Sequence, residues 1–140
     1  MRTRTNHTRY KKYARNNPSE TCNFCNFSFN DEQIVNESEH FWIATNLFSY
    51  NVWDDRNVDE HLMLLPKRHV TNLGELTSDE RADYMEQLVI YETQDYSTYT
   101  RAPGNASKSV PHLHTHLVRL NPRLKRVIVR IKRPYILWTV

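Results

Sequence analysis

Residues 110–118 have the sequence Val-Pro-His-Leu-His-Thr-His-Leu-Val, in which three histidines alternate with other residues. In a β-strand, alternate side chains lie on the same face of the sheet, so this spacing predicts that His112, His114 and His116 project together. Three crowded imidazoles are costly if packing is their only role, so the segment indicates a chemical site. A metal bound by all three histidines and completed by a carboxylate or water is a second interpretation.

The pattern of apolar residues predicts strands before and after one long helix. The predicted strands cover residues 33–36, 40–46, 61–65, 110–120 and 125–133, with a polar loop over residues 47–60. Thr77-Ser78-Asp79-Glu80 is a capping box, after which a helix is expected to run to about Tyr96 or Tyr99. This order predicts an α+β fold with a mostly antiparallel sheet.

The charges are distributed in three blocks. Residues 1–19 contain six basic residues and no acidic one, residues 20–95 contain all 16 acidic residues and four basic ones, and residues 96–140 contain nine basic residues and no acidic one. Because residues 1–19 also lack Leu, Ile, Val and Phe, we expect a basic, disordered arm. Residues 20–140 then form the folded domain. The basic blocks either neutralise the acidic one within the fold or present a surface for phosphates.

The cysteine content argues against a disulfide-rich secreted domain. The two cysteines, Cys22 and Cys25, have the spacing C-x-x-C, and a disulfide scaffold would contain more of them. No apolar run is long enough for a transmembrane helix, and the amino-terminal segment lacks the apolar stretch of a secretory signal. We therefore expect a cytoplasmic protein without a membrane partner.

Several segments together resemble the histidine triad (HIT) family. Residues 112–118 resemble its H-φ-H-φ-H-φ-φ signature, in which φ is apolar and Thr115 is a mild departure. Residues 60–70 resemble the family's G-H-L-L-V-I-P-K-R-H strand, residues 73–77 its L-x-E-L-T, and residues 22–25 the C-x-F-C of many members. The resemblance covers roughly residues 21–120. It implies a five-stranded, mostly antiparallel sheet with one long helix and one short helix.

The resemblance implies nucleotidyl transfer at the triad. His114 corresponds to the family nucleophile, which attacks the α-phosphorus of a nucleotide and gives a nucleotidyl-histidine that water resolves. The backbone carbonyl of His112 is expected to hold the His114 ring. His116 is expected to form a hydrogen bond to a phosphate oxygen or to protonate the leaving group. Ser109 is expected to contact the phosphate. Imidazole suits this role because it is largely unprotonated and nucleophilic near neutral pH.

Three further residues are assigned to nucleotide binding, each with an alternative. Asn46 matches the position that binds the ribose hydroxyls, although an asparagine there is also typical of an ordinary turn. His61 matches a histidine near the nucleotide, or is a strand histidine with a satisfied partner. Lys108 stands where the family commonly has glutamine, and either contacts a phosphate or faces solvent.

The resemblance also implies a structural zinc ion. Zinc-containing members bind it through positions that correspond to Cys22, Cys25, His69 and His112, all of which carry the required residue here. Such a closed tetrahedral site would tie the amino-terminal turn to the catalytic segment. The alternative is two reduced, partly buried thiols.

The predicted function is that of a nucleotide hydrolase or transferase acting on a purine nucleotide phosphoramidate or a similar compound. The alternatives are a dinucleoside polyphosphate hydrolase and a basic, nucleic-acid-associated nucleotide-binding protein, since the arm and the strand at residues 125–133 could bind backbone phosphates. The loop over residues 50–60 is longer than in typical members and is expected at the substrate entrance. A homodimer is expected, with Tyr84, Leu88 and Tyr91 as candidate interface residues.

Overall fold

The computed structural model describes residues 4–16, 22–106, 108–124, 128–132 and 135–139. Six strands form the main sheet: β1 (Ile34–Glu37), β2 (Phe41–Thr45), β3 (Val52–Trp53), β4 (Arg56–Pro66), β5 (Tyr96–Thr100) and β6 (Thr115–Leu124). The strand order is β1-β2-β4-β6-β5, with every pair antiparallel, and β3 pairs with β4 beside this path. The predicted α+β fold and its five-stranded antiparallel path are therefore confirmed, and β3 adds a sixth strand.

Strands β4 and β6 lie at the centre of the sheet because their sequences are apolar on both faces. Residues 61–66 of β4 are all buried, as are residues 115–118 of β6. Their register pairs Leu62 with Leu117 and Met63 with His116. This pairing places His116, a polar residue of β6, beside the core.

Helix α2 (Ser78–Glu92) begins as the sequence predicts. The Thr77 hydroxyl accepts a hydrogen bond from the Glu80 N–H at 3.2 Å, and the Glu80 carboxylate accepts one from the Thr77 N–H at 2.8 Å. Arg68 donates to both oxygens of the same carboxylate, at 2.9 and 2.7 Å. Hydrogen bonding to Arg68, followed by that to Thr77, lowers the pKa of Glu80 to about 2. The carboxylate is therefore ionised at neutral pH and anchors the start of the helix.

Helix α2 ends earlier than predicted, because residues 96–100 form strand β5. A turn over residues 93–95 separates the two elements, and Asp95 adopts a left-handed backbone with φ of 66°. The Tyr96 ring then packs against Tyr91 at 5.4 Å, and its hydroxyl donates to Glu60 at 2.5 Å. Tyr-Ser-Thr-Tyr-Thr consists mostly of residues that favour strands, and pairing with β6 outweighs its continuation as helix.

Residues 52–60 of the predicted polar loop form a hairpin, whereas residues 47–51 are a loop as predicted. Strand β3 turns directly into β4 through Asp54 and Asp55, whose φ angles are 46° and 55°. Two consecutive positive φ angles are the signature of the two-residue hairpin turn that matches the twist of paired strands. The polar residues of this segment therefore hid a strand pair that positions Trp53.

Helix α1 (Arg4–Asn16) replaces the disorder predicted for the arm. The rings of Tyr10 and Tyr13 lie 5.4 and 5.1 Å from the ring of Phe48. The prediction considered aliphatic residues and phenylalanine, and it overlooked the apolar area that two tyrosines supply. The division of the chain at residue 20 stays a prediction.

The carboxyl-terminal segment forms a hairpin separate from the main sheet. Strand β7 (Ile128–Lys132) pairs with β8 (Tyr135–Thr139). The predicted strand over residues 125–133 matches β7, but residues 125–127 and 133 lie outside the described residues. Strand β8 was not predicted, although Tyr-Ile-Leu-Trp-Thr is rich in strand-forming residues. Within the described ranges no helix is long and apolar enough to cross a membrane.

Candidate active site

Four histidines meet where β4 and the start of β6 lie side by side. His61 is on β4, His116 is on β6, and His112 and His114 lie in the extended segment before β6; none is more than 6% exposed. The predicted strand over residues 110–120 was wrong at its start, because β6 begins at Thr115. The structure brings the His114 and His116 rings within 5.1 Å of each other, whereas His112 contacts the cysteines.

The His114 ring is held in one orientation by the backbone. Its Nδ1 lies 2.8 Å from the carbonyl oxygen of His112, which is the contact that the sequence analysis expected. A carbonyl only accepts, so Nδ1 carries the hydrogen, and Nε2 keeps its lone pair in the neutral ring. Burial lowers the pKa of His114, and the positive charges of Lys108 and Arg101 lower it further. The ring is therefore neutral and held in one orientation, and these are properties that a nucleophilic imidazole needs.

His116 receives its tautomer from His61 through a short relay. The backbone N–H of Tyr50 donates to His61 Nδ1 at 3.1 Å, so His61 carries its hydrogen on Nε2. That Nε2 lies 3.0 Å from His116 Nδ1 and 3.1 Å from the side-chain nitrogen of Asn46. The Asn46 nitrogen can only donate, so the acceptor for the His61 hydrogen is His116 Nδ1. His116 Nδ1 is then an acceptor, and the hydrogen of the neutral His116 ring sits on Nε2. This arrangement makes His116 Nε2 a hydrogen-bond and proton donor.

Cys22, Cys25, His69 and His112 form a compact group of potential metal ligands. All four ligand atoms lie within 4.8 Å of one another. His112 Nδ1 is 3.4 Å from the Cys22 sulfur, and His69 Nδ1 is 3.2 Å from the Cys25 sulfur. Zinc bond lengths of ~2.3 Å to sulfur and ~2.05 Å to nitrogen place sulfur and nitrogen about 3.5 Å apart around a tetrahedral ion. The four predicted ligands thus fit a tetrahedral metal ion.

The surroundings of this group favour a bound cation. His112 Nε2 lies 2.9 Å from the Pro66 carbonyl, so it carries the hydrogen and leaves Nδ1 as a lone-pair ligand. Burial lowers the pKa of His112 and raises the pKa of the Cys25 thiol, which Cys22 also raises. A divalent ion reverses the effect on cysteine, because a coordinating thiol is deprotonated outright.

The predicted nucleotide-binding residues occupy different settings. Asn46 is buried and its side-chain oxygen accepts from the Phe48 N–H at 3.0 Å, which is a turn contact that leaves one oxygen lone pair for a ribose hydroxyl. Lys108 donates to the backbone carbonyl of Thr71 at 2.8 Å, and burial lowers its pKa. Ser109 is exposed next to it. Ribose and phosphate contacts by these residues stay predictions.

Sequence reasoning missed an aromatic group around His116. Tyr50 stacks on His61 at 4.8 Å and also contacts Trp53 at 5.2 Å. The ring of Tyr99 lies nearly parallel to His116, at 6.2 Å and 15°. The available signal was the composition of residues 96–100, because four of these five residues are Tyr or Thr, which favour strands. A strand there would have placed Tyr99 on a sheet instead of at a helix end.

A protein-family comparison identifies one domain. The model described as the HIT domain matches residues 30–122, which confirms the resemblance of the triad and of the segments around it. Curated relatives named bis(5'-adenosyl)-triphosphatase, from strains of Saccharomyces cerevisiae, are 30% identical over 103 residues. That alignment covers 67% of this chain and 45% of the relative, so the chain spans less than half the length of these proteins.

Solved structures share the fold at lower identity. A HIT family hydrolase from Clostridium thermocellum superimposes with a TM-score of 0.55 at 20% identity, covering 72% of this chain and 91% of that one. A HIT family hydrolase from Legionella pneumophila gives a TM-score of 0.53 at 18% identity, with 74% and 94% coverage. These similarities concern the arrangement of the sheet and its helix.

Proposed function

We propose, because the chain belongs to the HIT domain family, that it hydrolyses a purine nucleotide at the α-phosphate through a nucleotidyl intermediate on His114. The observation that carries the proposal is the orientation of this ring. A bond from Nδ1 to the His112 carbonyl directs the lone pair of Nε2 away from the backbone, and burial keeps the ring neutral. An unprotonated, fixed imidazole is what nucleophilic catalysis requires.

In the first step His114 Nε2 attacks the α-phosphorus and forms a P–N bond. The bond from phosphorus to the leaving group breaks, and the leaving group takes the electron pair. His116 Nε2 donates a hydrogen bond or a proton to it, with the tautomer that His61 sets at 3.0 Å. Water then attacks the same phosphorus and passes a proton to His116, which restores the proton that His116 gave to the leaving group. The P–N bond breaks, and the nucleoside monophosphate is released while His114 is regenerated.

Zinc is the metal that we propose for the Cys22, Cys25, His69 and His112 group. Two thiolates and two imidazoles form a closed ligand set typical of structural zinc, and a reducing cytoplasm would keep the thiols available. The ion would supply only rigidity. It would tie the turn at Cys22 to the segment whose His112 carbonyl holds His114.

The leaving group is the least constrained part of the proposal. The family resemblance of the sequence predicts an amine leaving group, as in a nucleoside phosphoramidate. The curated relatives, named as bis(5'-adenosyl)-triphosphatases, favour a nucleoside polyphosphate as a second candidate. Both substrates share the attacked α-phosphate, so the same histidines serve either one.

The test is to compare AMP release from adenosine 5′-phosphoramidate and from diadenosine triphosphate. We expect turnover of at least one of them, and the larger kcat/KM identifies the leaving group. Mass spectrometry after acid quenching is expected to find an adenylyl group on the peptide that contains His114. If neither substrate yields AMP, or if the adenylyl group is on another residue, the proposed function is wrong.

We also propose a homodimer, on a surface that differs from the predicted one. Tyr84, Leu88 and Tyr91 pack against the core of their own chain. The exposed apolar residues of α2 are Met85, Val89 and Ile90, next to β5 at the end of the strand order. An open strand edge beside apolar side chains favours association.

A charge on this surface is expected to dissociate the dimer. Val89 is 52% exposed, and so is Val35 on β1 at the opposite edge of the sheet. Light scattering after gel filtration is expected to give a dimer mass for the wild type and for Val35→Lys, and a monomer mass for Val89→Lys. A monomeric wild type at micromolar concentration would contradict the proposal.

A further inference from the structure

We propose that Trp53 and Tyr99, together with Arg101, form a subsite that selects leaving groups carrying a planar aromatic ring on a phosphate chain. A nucleoside diphosphate has this chemistry. The inference rests on the proposed function, because it describes the group that departs when His114 attacks. Neither the sequence pattern nor the family resemblance predicted a role for these three residues.

The position of the rings beside His116 places them on the leaving-group side. In a displacement at phosphorus, the attacking and departing atoms are roughly in line. The residue that protonates the departing atom therefore lies next to the leaving group, and this residue is His116. The Tyr99 ring is nearly parallel to His116 at 6.2 Å, and Trp53 lies 5.4 Å from Tyr99. Both are half-buried, so part of each ring remains accessible to a ligand.

Arg101 adds a positive charge to the same place. Its guanidinium carbon lies 5.1 Å from the Tyr99 ring centre, and one nitrogen donates to the Tyr50 hydroxyl at 2.6 Å. A guanidinium beside stacked rings suits a phosphate attached to an aromatic group, since it offers fixed donors to the phosphate oxygens.

The backbone that presents Trp53 is fixed by a two-residue hairpin turn. Trp53 is followed by Asp54 and Asp55, whose φ angles of 46° and 55° are those that this turn requires. The Trp53 ring lies 5.2 Å from the Tyr50 ring, which in turn contacts His61 and His116. The turn therefore places the indole one ring away from the two histidines.

The chemical step is unchanged by this subsite. When the P–O bond breaks, the nucleoside diphosphate keeps the bonding electron pair and takes a proton from His116. Stacking on Trp53 and Tyr99 holds its base, and Arg101 faces its phosphates. An amine leaving group has no base to stack and no phosphate for Arg101, so it gains nothing from the subsite.

The test is a ratio of two rates measured on Trp53→Ala and on the wild type. The ratio is kcat/KM for diadenosine triphosphate divided by kcat/KM for adenosine 5′-phosphoramidate. Loss of one base-stacking ring is expected to lower this ratio roughly tenfold, and Trp53→Tyr is expected to restore most of it. Val35→Ala, on the opposite edge strand, is the control that leaves the ratio unchanged.

The outcomes separate this inference from the proposed function. If Trp53→Ala lowers both rates by the same factor, Trp53 only packs the hairpin, and the subsite is wrong while the proposed function stands. If the wild type cleaves neither substrate, the proposed function fails and the subsite falls with it. Should Trp53→Ala not fold, the ratio for Arg101→Gln decides: a ratio at the wild-type value in this variant overturns the proposal.

Discussion

His114→Ala is expected to lower the rate of AMP release by roughly 10⁴-fold or more, because the variant has no atom that can form the nucleotidyl intermediate. Among the residues that the structure describes, neither neighbouring histidine offers a substitute nucleophile. His116 Nδ1 accepts from His61, which leaves His116 Nε2 protonated, and His112 Nδ1 faces the thiols. The measurement is single-turnover release of AMP from the better of the two substrates, at enzyme in excess.

His40→Ala is the matched control for this variant. His40 is half-exposed in the turn between β1 and β2, and its ring lies 3.9 Å from Glu39. We expect the control to keep the wild-type rate within about twofold, as is usual for surface substitutions away from special features. A His114→Ala protein that retains nucleotide binding and metal content but still releases AMP within tenfold of the wild type would place the nucleophile elsewhere.

Loss of the metal site is the second large effect that we expect. Replacing Cys22 and Cys25 by serine removes two of the four ligands that lie within 4.8 Å of one another. Structural zinc binds zinc-finger peptides with ~10 kcal/mol or more of apparent free energy. Part of this is offset in a domain with its own core, and we expect a net loss of about 3 kcal/mol. At roughly 4 °C per kcal/mol for a domain of this size, the melting temperature falls by about 10 °C.

The metal content and the melting temperature are measured together. Elemental analysis is expected to find one zinc ion per wild-type chain and none in Cys22→Ser/Cys25→Ser, and a chelator is expected to reproduce the lower melting temperature in the wild type. Asn26→Ala changes an exposed residue of the short 3₁₀-helix Asn23–Asn26, which contains Cys25. This variant is the control that is expected to keep its full metal content. A wild type that contains no metal and melts unchanged in chelator would leave two free thiols, the alternative that the sequence also allowed.

Metal loss is also expected to reduce catalysis indirectly. His112 supplies both a metal ligand, through Nδ1, and the carbonyl that holds His114. Without the ion, the segment before β6 loses an anchor, and the His114 ring loses part of its orientation. We expect the metal-free protein to have a lower kcat than the wild type. The decrease is expected to be smaller than that caused by His114→Ala, since the nucleophile itself remains.

Local pattern determined much of the fold. The capping box at Thr77 predicted the start of α2, and the apolar run at residues 61–65 predicted a central strand. Both signals involve residues close in the chain, so short-range physics is enough. The boundaries that failed are those set by pairing: β5 was hidden in a helical pattern, and β3 in a polar loop, because each depends on a strand distant in sequence.

The motifs at residues 22–25, 60–70 and 112–118 determined the resemblance to the HIT family, and that resemblance implied the proposed nucleophile, its backbone acceptor and the four candidate metal ligands. The tertiary structure places His112 beside the thiols, as the resemblance implies, and it brings the His114 ring within 5.1 Å of the His116 ring. It also decided that Tyr50, Trp53, Tyr99 and Arg101 meet beside them. The physical reason is that aromatic and basic residues occur in every part of the chain, and they become a site only when the register of β3, β4, β5 and β6 brings them together.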